Sequence, residues 1–582
     1  MKYPKIPLAQ TVVQLCKAKN IQHIVLSPGS RNAPLTIGFT YNPFFKCYSI
    51  VDERCAAFFA MGIAQQIQEP VAVVCTSGSA LLNYYPAVAE AFYSNIPIVV
   101  LSADRPKYLV GIGDGQTVRQ EGVYKNHILY SANLKQDLDD ENKLKNDELP
   151  IIKSIENKLE KYLGLQKTIQ QYNEEEINKA INASRLQKRP IHINIPFNEP
   201  LYDVVDELSV NPKVIKLLKN DVENEVISDY IHAWNTSKRK LVLVGVNQPN
   251  TVEQKYLDIL AQDESVLVLT ETTSNIHHER FIPGIDKLIG ALNTEEFNNL
   301  KPEILLTFGG LIVSKKIKRF LRDYKPKQHW HIGKHNANDT FFVLNKVFDT
   351  TVNKFFSQFL FKINTIQSDY NSFWIHAFNS RRERHNEYIK VIPFSDFKAF
   401  DILLNSIPKH SQLQVGNSSA IRYIQLFDLY SSIEVFCNRG TSGIDGSTST
   451  AIGAAIASNK QTTFITGDLS FFYDSNALWN NYIPNNFRII IVNNSGGGIF
   501  RILPGHKNTT NFDTYFETKH KLTAKQLCDM YSFEYQTATN ESELSLALNQ
   551  FYAKSNLPKL LEVFTPSEIN DDVLIDYFNK IK

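Results

Sequence analysis

Two short polar segments in the last third of the sequence contain the residue types that hold a divalent metal ion and a diphosphate. The first is GDLS at residues 467–470, and the second is NNSGGG at residues 493–498. Each segment directly follows a short apolar run, residues 463–466 or residues 488–492, which we predict to be a β-strand. Ligands of open α/β sheets collect beyond the carboxyl ends of the strands, so we expect both segments at one site.

Asp468 and Asn494 are the candidate metal ligands, and they are separated by 26 positions. Mg²⁺ prefers hard oxygen ligands in an octahedral array, usually a few from the protein and the rest from phosphate and water. The Asp468 carboxylate, the Asn494 amide oxygen and the backbone carbonyl of Gly496 could fill half of that array. The neighbouring glycines would let the backbone approach phosphate groups closely. An Asp-capped helix and an Asn-Gly turn would give the same letters, but the placement of both segments after strands favours a metal–diphosphate site.

The first third of the sequence has four polar loops, each placed after an apolar run. The loops are SPGSR, DER, TSGS and SADRP. One such loop could be an ordinary turn, whereas four of them favour a shared binding crevice. Glu53, in the second loop, precedes an apolar helical segment. Its carboxyl group is suited to proton transfer, although a helix-initial Glu with Asp52 as the cap would look the same.

Apolar runs and longer helical patterns alternate along the whole chain, which predicts an α/β protein with parallel sheets. A chain of 582 residues is too long for one core. The runs form three series, and the first and third share a general plan. We therefore predict three doubly wound parallel-sheet domains: residues 1–205, residues 206–365, and residues 366–582. Asn173 and Glu176 predict a capping box at the start of a helix in the first domain.

Composition and charge exclude several classes of protein. The 62 basic and 60 acidic side chains give a net charge of +2, so we expect neither a nucleic acid nor a membrane surface as partner. The six cysteines form no CxxC pair and no zinc-binding spacing, which favours free thiols in a reducing compartment. The longest apolar stretch near the amino terminus is about half of the ~20 residues that a bilayer span needs. We expect a soluble, cytoplasmic protein.

Several segments together resemble one family of thiamine-diphosphate (ThDP) enzymes. The GD…NN pair is similar to the ThDP motif, although Leu469 replaces the glycine that is usual in the third position. That departure is typical of the 2-succinyl-5-enolpyruvyl-6-hydroxy-3-cyclohexene-1-carboxylate (SEPHCHC) synthase family. The segments that resemble this family, in the same order, are SPGSRNAPL, VDER, TSGSA, ADRP, VGNSSAIR, NRGTSGIDG and GDLS.

The resemblance implies a cofactor and a set of residues to bind it. The three domains would be pyrimidine-binding, middle (Rossmann-like and structural) and diphosphate-binding, and the cofactors would be ThDP and Mg²⁺, with Mn²⁺ as a possible substitute. Glu53 would activate the cofactor by bonding to its aminopyrimidine ring, and Ile444 would prop the cofactor in its bent conformation. The remaining cofactor and metal positions implied by the family are Gly467, Asp468, Ser470, Asn494 and the carbonyl of Gly496.

The resemblance also implies the reaction: decarboxylation of 2-oxoglutarate and transfer of the succinyl-semialdehyde carbanion to isochorismate, in menaquinone biosynthesis. The two substrates carry four carboxylates, and arginine binds carboxylates bidentately. The family pattern gives Ser418, Arg422 and Arg439 to the donor. It gives Ser30, Arg31, Arg105 and Gln116 to the acceptor, with Glu53, Arg31 and Gln116 as the catalytic residues. Gly115 stands where the family often has Asn, which makes the acceptor pocket harder to assign. Sites at the interface of a homodimer or homotetramer are a further implication.

Two other functions remain open from the sequence. The chain could be another ThDP enzyme, such as acetohydroxyacid synthase or a simple 2-oxo acid decarboxylase. It could also be a non-catalytic module that binds ThDP. The joint presence of Glu53, Asp468 and Asn494 favours an enzyme over a binding module.

Overall fold

The structure is a computed structural model, and it describes residues 1–136, 168–216, 227–334, 337–502 and 509–582. The described residues form an α/β protein built on parallel sheets, as the sequence predicts. They divide into two compact units. The first unit comprises Met1–Lys219, Thr448–Asn459 and Asp474–Ile483, and the second comprises Asn220–Ser447, Lys460–Tyr473 and Pro484–Lys582.

The first unit contains a six-stranded parallel sheet in the order β3-β2-β4-β5-β7-β6 and a two-stranded antiparallel pair, β1-β8. The central strands β4 and β5 are buried along their whole length because both faces of the sheet are covered. The strands are β1 (Tyr3–Pro4), β2 (His23–Leu26), β3 (Lys46–Ser49), β4 (Val71–Cys75), β5 (Ile98–Asp104), β6 (Ser131–Asn133), β7 (Ile191–Pro196) and β8 (Val204–Val205).

The second unit contains two parallel sheets. The first of them has the order β10-β9-β11-β12-β13, and the second has the order β15-β14-β16-β17-β19-β18. The strands are β9 (Lys240–Val244), β10 (Val266–Leu269), β11 (Ile304–Phe308), β12 (Gln328–Ile332), β13 (Leu344–Phe348), β14 (Gln412–Val415), β15 (Glu434–Cys437), β16 (Thr462–Gly467), β17 (Arg488–Asn493), β18 (Glu534–Ala538) and β19 (Lys559–Phe564).

The sheet of the first unit and the β14–β19 sheet have the same strand order when each is counted from its own first strand. The shared plan that the sequence indicates for the first and third series is therefore present in the sheet topology. The β9–β13 sheet has the doubly wound order of flavodoxin-like folds. The strands within each of the three sheets are parallel, so the loops that follow them lie at one end of that sheet. The predicted site residues lie at these ends of the first sheet and of the β14–β19 sheet.

Helices connect the strands and cover the sheets. In the described part of the chain they are α1 (Pro7–Ala18), α2 (Ala33–Thr40), α3 (Glu53–Ile67), α4 (Ser79–Asn83), α5 (Tyr85–Ser94), α6 (Ile169–Gln187), α7 (Ser228–Thr236), α8 (Gln254–Gln262), α9 (Ile285–Ile289), α10 (Thr294–Leu300), α11 (Lys315–Asp323), α12 (Val352–Phe359), α13 (Tyr370–Val391), α14 (Asp396–Ser406), α15 (Ser419–Ile424), α16 (Ser447–Ala457), α17 (Asp468–Tyr473), α18 (Ile499–Ile502), α19 (Lys525–Tyr531), α20 (Glu541–Phe551) and α21 (Asn570–Lys580).

Helix α6 shows that the predicted capping box is wrong. The helix begins at Ile169, where Thr168 and Gln171 form the capping box. Asn173 lies inside the helix, and its side chain instead bonds to both backbone groups of Lys135. A polar residue near the start of a helix can therefore bond to a neighbouring segment rather than cap the helix, and the sequence does not separate these two uses.

Within the described residues, no helix is both long enough and apolar enough to cross a membrane. All six cysteines are free thiols, and five of them are buried.

Candidate active site

Asp468 and Asn494 lie together in the second unit, at the carboxyl ends of the neighbouring strands β16 and β17. Both side chains line a pocket of about 170 Å³, together with Gly467, Ser470 and Gly496. The two segments that the sequence predicts to meet are thus brought to one place by the parallel register of these strands.

The Asp468 carboxylate is 2% exposed and held by the backbone. Its Oδ1 accepts from the N–H of Leu469 at 2.7 Å, and its Oδ2 accepts from the N–H of Gly496 at 2.9 Å. His520 Nε2 lies 3.2 Å from the same Oδ2. His520 Nδ1 accepts from the N–H of Leu522. The Asp468 carboxylate is therefore fixed in orientation by the two backbone N–H groups, one from each segment.

The glycines of the second segment are required by close backbone contacts. A Cβ at Gly496, whose φ is +155°, would lie 2.6 Å from the carbonyl oxygen of Glu517. A Cβ at Gly467 would face open space. The backbone of the pocket is therefore tightly packed at Gly496, whereas there is free volume beside Gly467. The oxygen donors and this glycine-lined volume fit Mg²⁺ with a diphosphate, and they contain no soft sulfur ligand that would favour zinc.

Ile444 and Ser470 are joined beside the pocket, because the Ser470 hydroxyl donates to the carbonyl oxygen of Ile444 at 2.7 Å. The Ile444 side chain is 36% exposed and lines the pocket. Ser470 thus fixes the backbone that carries this apolar side chain, and both residues remain predicted cofactor contacts.

A larger cavity of about 640 Å³ adjoins the pocket, and both share Ser418, Ser419, Ile444 and Ile499 as lining residues. The structure brings the predicted donor-binding residues Ser418, Arg422 and Arg439 together in its wall. Ser418 has a φ of +67°, a conformation that is rare for a residue with a side chain and common at functional sites.

The cavity is positively charged on one side. Burial is the main reason that the pKa of Arg422 is lowered, and the nearby Arg439 lowers it further. Asn417 Oδ1 accepts from Arg439 Nη1 at 2.7 Å, which orients the guanidinium. Two arginines that repel each other are both stabilised when an anion binds between them.

Lys315 and Lys316 also line this cavity, and sequence reasoning did not select them. They begin helix α11, after strand β11 and its Gly309-Gly310 turn. The sequence did contain a signal for them: two lysines at the start of a helix, where positive charge is unfavourable because of the helix dipole and therefore indicates a functional role.

Glu53 is the first residue of α3 in the first unit, and Asp52 caps this helix by accepting from the N–H of Cys55. Its Oε2 accepts a long 3.4 Å hydrogen bond from Asn83 Nδ2. The pKa of Cys75 is raised mainly by burial and further by the charge of Glu53, so the two side chains are close. Glu53 thus lies near the carboxyl ends of the strands of this sheet, as predicted. The Asp52 cap is also present, as the alternative interpretation of Glu53 as an ordinary helix-initial residue requires.

The predicted acceptor residues of the first unit form one group. Arg31 is buried, and its pKa is lowered first by burial and then by the charge of Arg105. Arg105 Nη1 donates to Ser77 Oγ at 2.9 Å, and Gln116, with φ +56°, lies against Gly78. The exposed Ser30 directly precedes Arg31. These residues surround the loops after β2, β4 and β5, so a carboxylate could bind there to two arginines.

The class of protein that these parallel sheets and their loops indicate is a ThDP-dependent enzyme. Residues 6–128 match the family model "Thiamine pyrophosphate enzyme, N-terminal TPP binding domain". Over 100% of both chains, the sequence is 57% identical to the 2-succinyl-5-enolpyruvyl-6-hydroxy-3-cyclohexene-1-carboxylate synthase of Christiangramia forsetii and 55% identical to that of Flavobacterium psychrophilum. It is 36% identical to that of Bacteroides thetaiotaomicron, over 98% of both chains. The chain belongs to the SEPHCHC synthase family.

Proposed function

We propose that this chain decarboxylates 2-oxoglutarate and transfers the resulting succinyl-semialdehyde carbanion to isochorismate, with ThDP and Mg²⁺, to give SEPHCHC and CO₂. This is a transferase reaction of menaquinone biosynthesis, and we place it in the cytoplasm. The observation that carries the proposal is the arginine- and lysine-lined cavity beside the Asp468–Asn494 pocket. A simple decarboxylase of a monocarboxylic substrate would have no use for four cations in one cavity.

The second unit would bind the cofactor's diphosphate and metal. Asp468, Asn494 and the carbonyl of Gly496 would ligate Mg²⁺ or Mn²⁺, while Gly467 and Ser470 would line the diphosphate. When bound, ThDP supplies an electron sink that stabilises the carbanion left after loss of CO₂. Ile444, next to the cavity opening, would support the cofactor from its apolar side.

The cations of the cavity would hold the carboxylates of the substrates. Arg422, Arg439 and Ser418 would bind the carboxylate of 2-oxoglutarate that is not lost. Lys315 and Lys316 also line the cavity and would bind a carboxylate of isochorismate. The guanidinium groups would orient a bound carboxylate as well as balance its charge, because each presents two parallel N–H donors.

The first unit would supply the remaining groups. Glu53 would hydrogen-bond to the aminopyrimidine ring and hold the proton that the cofactor must exchange. Arg31, Arg105, Gln116 and Ser30 would bind isochorismate. We propose that the active form is a homodimer or homotetramer in which sites lie between subunits. The domains would be residues 1–205, 206–365 and 366–582.

The test is an assay of the purified protein with ThDP, Mg²⁺, 2-oxoglutarate and isochorismate, analysed by mass spectrometry. The proposal predicts SEPHCHC and CO₂ in equal amounts, and loss of the product in Glu53→Gln. Glu69→Gln is the matched control, because Glu69 follows the opposite end of α3 and pairs with Arg185. Release of CO₂ without any adduct, or an active Glu53→Gln variant, would contradict the proposal.

A further inference from the structure

A short segment ties the two sheets of the second unit together. Residues 271–275, here named the bridge segment, follow strand β10. The side chain of Asn275 donates to the carbonyl of Val435 at 2.9 Å and accepts from its N–H at 2.8 Å, as a neighbouring strand would. The N–H of Thr272 donates to Gln425 Oε1 at 3.1 Å. The bridge segment is thereby fixed against β15 and the end of α15. Strand β15 leads to Arg439, and helix α15 contains Arg422.

Glu271, the first residue of the bridge segment, holds the backbone that leads into α11. The side chain is buried, and its two oxygens accept from the successive N–H groups of Val313 and Ser314, each at 2.7 Å. The Ser314 hydroxyl accepts from the N–H of Ile317 and donates to Asp286, which makes Ser314 the cap of α11. Two carboxylates from other elements thus fix the start of this helix.

The start of α11 needs such anchors because of its charge. The helix begins with Lys315 and Lys316 and has no acidic residue in its first turn. Cations at a helix amino terminus oppose the helix dipole. Arg422 and Arg439 line the same cavity and add repulsion. Without a compensating anion, the helix start would be expected to move away from the cavity.

Glu271 also faces the cavity itself, where it is among the lining residues. Burial raises the pKa of its carboxyl group to about 7, although the Val313 and Ser314 N–H groups and Arg439 favour the charged form. Lys318 lies near enough to be influenced by both Glu271 and Arg439. Glu271 is therefore in contact with the lysine-bearing segment and close to an arginine of the proposed donor subsite.

We propose that Glu271 is a positioning residue for the acceptor subsite, because its carboxylate holds Val313 and Ser314 where Lys315 and Lys316 face the cavity. The proposal rests on the function proposed above and adds a residue that acts through the backbone segment it holds. The Glu271 carboxylate holds the segment of the β9–β13 sheet that carries the lysines, while Thr272 and Asn275 of the same bridge segment bond to the part of the chain that carries the arginines. Its loss should weaken the binding of isochorismate more than that of 2-oxoglutarate.

Glu303 offers a matched control in the same sheet. Its Oε2 also accepts from two successive N–H groups, those of Lys238 at 2.8 Å and Arg239 at 3.3 Å. Glu303 directly precedes β11, at the opposite end of the sheet from the cavity, and it is absent from the cavity lining. Glu303→Gln and Glu271→Gln therefore remove the same kind of acceptor from the same sheet at two different places.

The experiment uses the full chain with ThDP and Mg²⁺ and compares the wild type with both variants. Glu271→Gln should raise the KM for isochorismate about tenfold, as expected for one lost charge-assisted hydrogen bond, with little change in the KM for 2-oxoglutarate. Hydrogen exchange of peptides that cover residues 313–317 should be faster in this variant alone. Glu303→Gln should leave both values of KM and that exchange unchanged.

An unchanged KM for isochorismate in a folded Glu271→Gln variant would overturn the positioning role while the proposed function stands. An equal effect of the two glutamate variants would also overturn it, since it would indicate general destabilisation. If the wild type has no transferase activity, the proposed function fails. Calorimetric binding of isochorismate then decides the inference: equal affinity of wild type and Glu271→Gln, or no binding by the wild type, would overturn it.

Discussion

The side-chain amide of Asn494 donates a hydrogen bond to the buried carboxylate of Asp396, with Nδ2 and Oδ2 2.8 Å apart. A carboxylate only accepts, so this contact fixes which end of the amide faces Asp396. The amide oxygen of Asn494 is therefore the atom that remains available as a metal ligand. The other Asp396 oxygen accepts from the hydroxyl of Thr565, which anchors the carboxylate itself.

Loss of the Asp396 carboxylate should weaken metal binding. Asp396→Ala is expected to lower the affinity for Mn²⁺, measured with ThDP present by electron paramagnetic resonance, by ten- to a hundredfold, as for other residues that orient metal ligands. Asp396→Asn keeps an oxygen acceptor and should restore part of the affinity. Asp401→Ala on the same helix is the control, because the Asp401 carboxylate accepts only from Asn405 among its described hydrogen bonds. Unchanged Mn²⁺ affinity in a folded Asp396→Ala would show that Asn494 needs no such support.

The helix that carries Glu53 is packed through glycines. A Cβ at Gly62 would lie 2.0 Å from the carbonyl oxygen of Thr450, and a Cβ at Gly453 would lie 2.0 Å from that of Phe59. Helices α3 and α16 must separate to admit either methyl group, so Gly62→Ala and Gly453→Ala should each cost roughly 2–3 kcal/mol. Thermal unfolding measures the effect. Gly115→Ala, whose Cβ would meet nothing within 4 Å, should leave Tm unchanged. A Gly62→Ala protein as stable as the wild type would contradict the close helix contact.

Buried Asp474 should give the protein a pH-dependent stability. Burial raises the pKa of its carboxyl group to about 6, opposed by hydrogen bonds from the Ser449 N–H and hydroxyl and from Cys55. The folded state therefore binds more protons than the unfolded state between about pH 4 and pH 6, and stability from this group grows as the pH falls. Relative to Asp474→Asn, the wild type should gain about 1 kcal/mol between pH 7 and pH 5. Urea unfolding at both pH values checks this, and a constant difference between the proteins would contradict it.

The arginine pair of the cavity should control the donor substrate. Arg422→Ala is expected to raise the KM for 2-oxoglutarate ten- to a hundredfold, since one charge-assisted contact to its retained carboxylate is removed. 2-Oxobutyrate lacks that carboxylate, so its use should change little. Arg319→Ala is the control, because Arg319 is 86% exposed on the surface of α11. Equal losses for both substrates would assign Arg422 a structural role instead.

Much of the fold could be predicted from the sequence, because buried parallel strands appear as apolar runs. Five strands escaped prediction. Strands β1 and β8 have two residues each, which is too short to show a pattern, and β6, β13 and β18 each lie at the edge of a sheet. Edge strands are covered less completely and carry more polar side chains, so their sequences lack the apolar run. The start of α6 was misplaced because Asn173 bonds to Lys135, just after β6, rather than capping the helix.

The meeting of the Asp468 and Asn494 segments could be predicted because both residues are close in sequence to strand ends. Lys315, Asp396 and Glu271 could not, because their importance depends on contacts between distant parts of the chain. Asp396 and Asn494 are 98 positions apart, and Glu271 and Ser314 are 43 positions apart. A carboxylate that supports another residue has no local sequence signal, and it becomes recognisable only when its hydrogen-bond partners are known.

The coupling of decarboxylation to transfer is tested most directly with isotopically labelled substrate. 2-Oxoglutarate labelled with ¹³C at C1 or at C2 would be incubated with isochorismate, ThDP, Mg²⁺ and the protein. Label from C1 should appear only in CO₂, and label from C2 should appear in SEPHCHC, bonded to a carbon of the isochorismate ring. Label from C2 in free succinic semialdehyde, with none in an adduct, would contradict the assignment of this chain as the synthase.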